Sequence, residues 1–302
     1  MKRSIVLIVL AGLLWGTSGV FAHFLYPCGF APLELVGCRA LVSFLGMAGF
    51  ALCRNRALFR VRLRELPLLL LVGLGIFATA SLYYTAMAMT SVSTAVMLMY
   101  TAPVYVLFLS VLFLGERLSR LKLFSVALML LGCCFVSGII GDLRFDLFGL
   151  LAGAASGVTY ALYNIFVKLS VRHKNDPVSV SMYAFLAMTL AALPFIDFRA
   201  FGAHVAAAPA KTVPLLIGIG IFTCVLPYLL YTLAMRELSA GTATALGIVE
   251  PMSASVYSFA FLGESLDLLA VLGIVLVLLS VYLLSRAEEG ENKKEKTEEN
   301  AA

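Results

Sequence analysis

Apolar residues in this chain come in long unbroken runs, near residues 5–26, 33–53, 67–89, 92–114, 121–140, 147–170, 178–197, 213–235, 241–262 and 267–285. Each run approaches the roughly 20 residues that a helix needs to cross a bilayer. Each is also apolar around its whole circumference. A membrane β-barrel would instead show segments of about 10 residues that alternate between apolar and polar. Within hydrocarbon a helix satisfies its own backbone hydrogen bonds. The pattern therefore predicts an all-α integral membrane protein of ten transmembrane helices. Gly, Pro and charged residues separate most of the runs, and the break at 89–92 is the shortest.

Composition agrees, with 62% hydrophobic and 13% charged residues and a mean hydropathy of +1.00, far from the mix of soluble domains. Met1-Lys2-Arg3 followed by an apolar stretch has the outline of a signal peptide, but no small-x-small cleavage site in a polar setting follows. The segment is read as the first helix, retained. With the start of the chain inside, 18 of the 22 Lys and Arg residues fall in inner segments, three (Arg144, Arg199, Lys211) fall outside, and Arg39 lies within a helix. This bias predicts both chain ends on the cytoplasmic side. It also accounts for the net charge of +5 without a nucleic-acid partner. Residues 287–302, AEEGENKKEKTEENAA, offer nothing with which to build a core and are expected to form a disordered cytoplasmic tail. The six cysteines form no C-x-x-C pair, so neither metal nor disulfide chemistry is expected.

The chain repeats itself. At an offset of 148, Tyr83–Cys134 falls on Tyr231–Tyr282 with 18 identities in 52 positions. The coincidences include the punctuation: Thr94 with Thr242, Pro103 with Pro251, and Leu114-Gly115-Glu116 with Leu262-Gly263-Glu264. At an offset of 145, Pro32 overlies Pro177. Two five-helix repeats are predicted, over 1–140 and 147–286. Because five is odd, the second must be inverted in the membrane relative to the first. Inverted repeats recur in secondary transporters, with the site at the interface between the halves.

Leu14-Trp15-Gly16, Pro32 with Arg39-Ala40, Ala86-Met87, Pro103 and Leu114-Gly115-Glu116-Arg117-Leu118, repeated as Ala234-Met235, Glu250-Pro251 and Leu262-Gly263-Glu264, resemble the EamA-type ten-helix members of the drug/metabolite transporter superfamily. The likeness covers about residues 5–285. It implies a central cavity lined by helices 1, 3, 4, 6, 8 and 9, helices 5 and 10 at the periphery, and export or import of metabolites, amino acids among them. A bacterial inner membrane follows from the same resemblance.

A charge in the middle of a helix costs about 2.5–3.5 kcal/mol on insertion scales, which singles out Glu250 and Arg39. Glu250 precedes the kinking Pro251 and is a candidate to hold a substrate amine or a proton. Arg39, whose repeat counterpart is Ala184, is read as architecture, capping carbonyls or binding another helix. Pro103 and Pro251 are read as structural or gating kinks. Trp15, Ser18, Tyr83, Tyr84, Tyr100, Tyr160, Asn164 and Tyr231 lie on the candidate cavity helices and are expected, with Glu250, to line a site for an amphipathic ligand. On helix 6 the face carrying Tyr160 and Asn164 is preferred to that of Tyr163. His23 is weighed as a proton relay, with a packed or interfacial side chain as the bland reading. Glu116 and Glu264 are expected to complement the N-terminus of the helix that follows each. The strips Gly12/Gly16 and Gly149/Gly153/Gly157 are read as packing surfaces.

No Walker A, H-E-x-x-H or G-x-S-x-G motif is present. The expected function is therefore secondary or facilitated transport of a small metabolite by alternating access, with export preferred to import, no cofactor, and a monomer or homodimer in the bilayer. The rival is a membrane enzyme acting on a lipid or isoprenoid substrate, which would usually present paired acids or a basic cluster at the interface. The basic loop from Arg54 to Arg64 lacks the acids.

Overall fold

The computed structural model describes residues 2–116, 118–137, 146–263 and 268–301, with side chains for all of these except 54, 93 and 291–301. Among the described residues every regular element is helical. Ten helices are long and apolar enough to cross a membrane: α1 (Lys2–Cys28), α2 (Pro32–Cys53), α3 (Leu66–Met89), α4 (Thr94–Leu114), α5 (Arg120–Ser137), α6 (Leu147–Arg172), α7 (Pro177–Phe195), α8 (Pro209–Ala234), α9 (Ala240–Leu262) and α10 (Leu268–Gly290). The apolar runs locate all ten to within a few residues. A short helix, Phe198–Ala207, sits between α7 and α8 where a loop is expected. Asp197 starts it by accepting from the backbone N–H groups of Arg199 and Ala200.

Packing respects an exchange of the two halves. Helix α1 packs on α8 as α3 packs on α6, α2 lies against α7, and α5 against α10. The same exchange appears in local structure. Ser91 and Ser239 accept from the backbone N–H of Thr94 and Thr242 to open α4 and α9. Gly115 and Gly263 end those helices in the left-handed region, at φ 65° and 72°, where a residue without a Cβ is favoured. Glu264 and Arg117 lie outside the described residues.

Four of the ten helices are interrupted, each for a readable reason. In α4 and α9 the regular ladder stops at Tyr100–Thr101 and at Gly247–Ile248, just before Pro103 and Pro251. Proline offers no N–H to the carbonyl four residues back. In α9 the Gly247 carbonyl takes instead the N–H of Glu250, 2.9 Å away. In α8 a π-helical turn, Ile221–Val225, precedes Pro227, loosening the ladder where that proline would leave a carbonyl unpartnered. In α1 the break falls at Thr17, whose hydroxyl donates to the Leu14 carbonyl at 2.6 Å.

Glycine strips set the closest approaches. Leu98 and Thr101 of α4 lie on Gly153 and Gly157 of α6, while Val249 and Ser253 of α9 lie on Gly12 and Gly16 of α1. The packing reading of both strips therefore stands, and the two contacts are each other's repeat image.

The backbone of α10 runs helical to Ala301, with Ala287 and Glu288 buried. The segment is rich in good helix formers with Glu and Lys four apart, and Glu288 is anchored on α5 and α9. One expectation is corrected: among the described residues Glu116 does not serve the start of α5. Its carboxylate accepts from the backbone N–H of Ala240 at the start of α9, 2.8 Å away, a tie between the halves that no local spacing reveals. His23 is exposed and meets only the neighbouring Phe24 ring among the described aromatic contacts.

Outside the spans, Glu65 joins α3 to the turn after α6, accepting from His173 at 2.8 Å and Asn175 at 3.2 Å. The His173 hydrogen bond holds its carboxyl below the usual carboxylate range, against a smaller desolvation effect, with Asn175 adding to the lowering. A depressed carboxyl contributes stability that is present above its unfolded value near pH 4 and is lost as pH falls through the lower folded value. The thermal midpoint of the wild type should therefore fall below pH 4, and Glu65→Gln should lower it at neutral pH while weakening that acid dependence. An unchanged acid profile in Glu65→Gln would remove Glu65 from the account.

Candidate functional site

Where the broken helices meet, aromatic side chains of both halves converge. Trp15 of α1 meets Tyr228 and Tyr231 of α8 with ring centres 5.2 and 5.4 Å apart. Tyr163 of α6 lies between Tyr160, Tyr228 and Tyr231, and Phe185 of α7 closes on Tyr228 at 5.2 Å. Tyr231 and Asn164, both fully buried, are tied by a hydrogen bond from the Tyr231 hydroxyl to Asn164 Oδ1. Asn164 Nδ2 donates to the Tyr160 carbonyl at 2.7 Å. The pair thus clamps α6 to α8.

In Tyr231→Phe the Asn164 oxygen is left buried without its donor. The expected loss is about 1–3 kcal/mol, seen as a lower midpoint in detergent with Asn164→Leu/Tyr231→Phe partly restored. Equal losses that simply add in the double variant would contradict the clamp.

The charges enter this aromatic wall from α2 and α9. The groups that act electrostatically on Arg39 are Cys224 and Tyr228 of α8, Tyr84 of α3 and Glu250 of α9. The Tyr100 hydroxyl and Arg39 act on Glu250 in turn. Neither is sealed off, because both residues keep accessible surface although deep in the bundle. The Arg39 guanidinium makes no hydrogen bond among the described residues, and no ion pair within 4 Å joins it to Glu250. Of the two architectural roles expected of Arg39, capping carbonyls or binding another helix, no capped carbonyl is found among the described residues. Beside the π-helical turn of α8, the Ser43 hydroxyl of α2 bonds to the carbonyls of Arg39 and Gly220.

The other candidates divide. Tyr84, Tyr160 and Tyr228 are half-buried and pack on the central core. Tyr83, its ring tilted at 59° to that of Tyr84 with centres 5.4 Å apart, belongs to a side cluster with Ala86, Ala95 and Ala152 but still acts electrostatically with Glu250. Tyr100 is buried at 2% exposure, and its hydroxyl is directed to Glu250 without a fully formed hydrogen bond. Ser18 is half-buried just beyond the break in α1. Tyr231 and Asn164 are fully buried and bonded to each other. Tyr163, set aside from the preferred face of α6, is in the middle of the cluster, because α8 packs across both faces at that level. Phe185 carries no signal that separates it from other core residues of α7. Pro103 and Pro251 stand one turn past the interruptions in α4 and α9. An outward-facing apolar groove between α4 and α5, about 140 Å³ and lined by Leu107, Phe108, Val126 and Leu130 among others, is remote from these charges.

A bundle of ten apolar helices with discontinuous helices meeting around two accessible buried charges has the construction of a membrane transporter. The chain belongs to the EamA-like transporter family, whose model matches residues 2–138 and again 147–286. It is 30% identical over 289 residues to an uncharacterized transporter of Archaeoglobus fulgidus, covering 95% of this chain and 97% of that protein. It is 28% identical over 288 residues to the threonine/homoserine exporter RhtA of Escherichia coli K12, covering 94% and 92%. It is also 28% identical over 240 residues to a probable terminal-alkyne amino-acid exporter of Streptantibioticus cattleyicolor, covering 79% of each. A crystal structure matches with a TM-score of 0.78 at 16% identity, over 96% of this chain and 98% of the other, a likeness of fold alone. The protein is thus a multi-pass membrane transporter of small metabolites and not an enzyme, and the lipid-enzyme reading is set aside.

Proposed function

We propose that the protein exports an amino acid or a similar zwitterionic, amphipathic metabolite by alternating access between inverted halves, with its chain ends on the cytoplasmic side of a bacterial inner membrane. The observation that carries the reading is the unpaired placement of Arg39 and Glu250, opposite charges from two helices on one accessible aromatic wall. A buried guanidinium without a hydrogen bond is costly until an anion meets it. A ligand carboxylate at Arg39 and its ammonium at Glu250 would satisfy both at once, while Tyr84, Tyr160 and Tyr228 receive an apolar side chain. The names of two relatives, a threonine/homoserine exporter and a probable terminal-alkyne amino-acid exporter, support the class and the direction. The Lys and Arg bias supports the orientation, and the repeat-related breaks in α4 and α9 support halves that exchange conformations.

The test is ligand-induced thermal stabilisation of the purified protein by an amino acid, its N-acetyl derivative and its amide. The reading expects stabilisation by the zwitterion alone. Equal stabilisation by a derivative lacking either charge would overturn it.

A further inference from the structure

Helices α1 and α8 are interrupted at the same level. Trp15, on the chain-end side of the break at Thr17, meets Tyr228 and Tyr231. Phe21, on the far side of it, stacks on Phe222 at 6.2 Å and lies against Gly218. The break in α1 therefore stands opposite the π-helical turn Ile221–Val225 of α8. Their repeat images carry no such interruption, since α3 runs unbroken over Leu66–Met89 and α6 over Leu147–Arg172. A π-turn and a proline are places where a helix bends, so the α1–α8 pair is hinged within the membrane and its image is not.

Beyond the two interruptions the chain builds a cap with a core of its own. Leu25 of α1, Phe30, and Leu216 and Ile219 of α8 form a buried apolar cluster seated on Leu35 of α2, separate from the central core. The short helix Phe198–Ala207 straps this cluster. Its Phe201 and Val205 pack on it, and Phe30 meets the Phe201 and His204 rings edge-on at 5.2 and 5.5 Å. The approach is close enough that a Cβ on Gly29 would stand 2.8 Å from the His204 ring. The strap thus ties the end of α1 to the start of α8. At the base of the cap, the Ser43 hydroxyl of α2 donates to the Gly220 carbonyl at 3.2 Å and to the Arg39 carbonyl at 2.6 Å, so the pivot of α8 is fastened beside Arg39.

We propose that α1 beyond Thr17, α8 up to its π-turn and the helix Phe198–Ala207 move as one cap, hinged at those two interruptions, and that this cap is the gate on the side away from the chain ends. The inference rests on the alternating-access reading above and adds which segments move and where they bend. Because the cap has its own small core, it can part from Leu35 without disturbing the aromatic wall around Tyr228. Lifting it brings water to the π-turn, and with it to Arg39. The residues of the cap and Ser43 are positioning residues in this scheme and touch no substrate.

The protein's own cysteines report the motion in full-length protein in lipid nanodiscs, through the rate at which a charged, water-soluble methanethiosulfonate modifies each one, read by peptide mass spectrometry. Cys224, in the π-turn and 1% exposed, is the reporter, and the buried Cys133 of α5 is the reference. Leu216→Ala removes a side chain from the core of the cap and should speed modification of Cys224 at least about tenfold, the scale of deleting a buried leucine, with Cys133 unchanged. Phe201→Ala, in the strap, should speed it likewise, and decides the matter alone if Leu216→Ala does not fold. Pro227→Ala returns an N–H to the ladder of α8 and should slow modification of Cys224 about threefold. Wild-type rates in both cap variants would overturn the cap, as would a rise of the same size at Cys133, or a rise in Leu216→Ala with none in Phe201→Ala. Modification of Cys224 that is not slowed in Pro227→Ala would overturn the hinge. Failure of the export reading would appear separately, as wild-type protein that carries no amino acid in liposomes while the labelling differences persist.

Discussion

Glu250→Gln should reduce saturable amino-acid flux at least about a hundredfold in proteoliposomes, with insertion and yield equal to the wild type. The substitution keeps the shape of the side chain and its place before Pro251, so the interruption of α9 survives it. What disappears is the negative charge that faces Tyr100 and Arg39 across the accessible wall. Truncating one partner of a buried charge pair costs about 2–5 kcal/mol, and each 1.4 kcal/mol is tenfold in an equilibrium. The bound ammonium would have only the dipole of an amide, while Arg39 would lose the compensating charge of its half of the site. Flux within a factor of about three of wild type would remove Glu250 from substrate handling.

Gly16→Val should be nearly as damaging by a mechanical route. A Cβ at Gly16 would stand 2.1 Å from the Ser253 hydroxyl oxygen and 2.9 Å from the Ala254 nitrogen. The first of these belongs to a short side chain already bonded to the carbonyls of Gly12 and Glu250, and the second is backbone, so α9 itself must move. Overpacking of this kind costs about 1–3 kcal/mol, and here the displaced turn is the one that follows Glu250. The expected outcome is a lowered thermal midpoint together with a loss of flux of more than about tenfold in the protein that still inserts. Gly19→Val is the control, because a Cβ there meets nothing within 4 Å. Equal behaviour of the two variants would contradict the close approach of α1 and α9.

Much of the architecture is legible in the sequence because a bilayer is a severe solvent. Ten runs must be helices, and the duplicated Pro103/Pro251 and Gly115/Gly263 place the same break and the same left-handed end in each half. Composition could also single out Glu250 and Arg39, since a charge in hydrocarbon demands a reason. The surroundings of Arg39 were not legible, because the groups that act on it, Cys224, Tyr228, Tyr84 and Glu250, come from three other helices. Nor could spacing tell which tyrosines would be consumed in the wall. Tyr231 and Asn164 satisfy each other, whereas Tyr84 and Tyr228 keep accessible surface, and that division is set by pairs 67 or more residues apart. Glu116 and Glu288 were hidden for the same reason, their partners being supplied by distant α9.

The most direct test of a transporter for zwitterionic metabolites is flux through the purified protein in liposomes, begun with labelled threonine and homoserine and extended to larger apolar amino acids. The account predicts saturable flux that competes with compounds bearing both an ammonium and a carboxylate, and that ignores those lacking either group. Flux competed equally well by singly charged derivatives, or none for any amino acid with insertion verified, would contradict it.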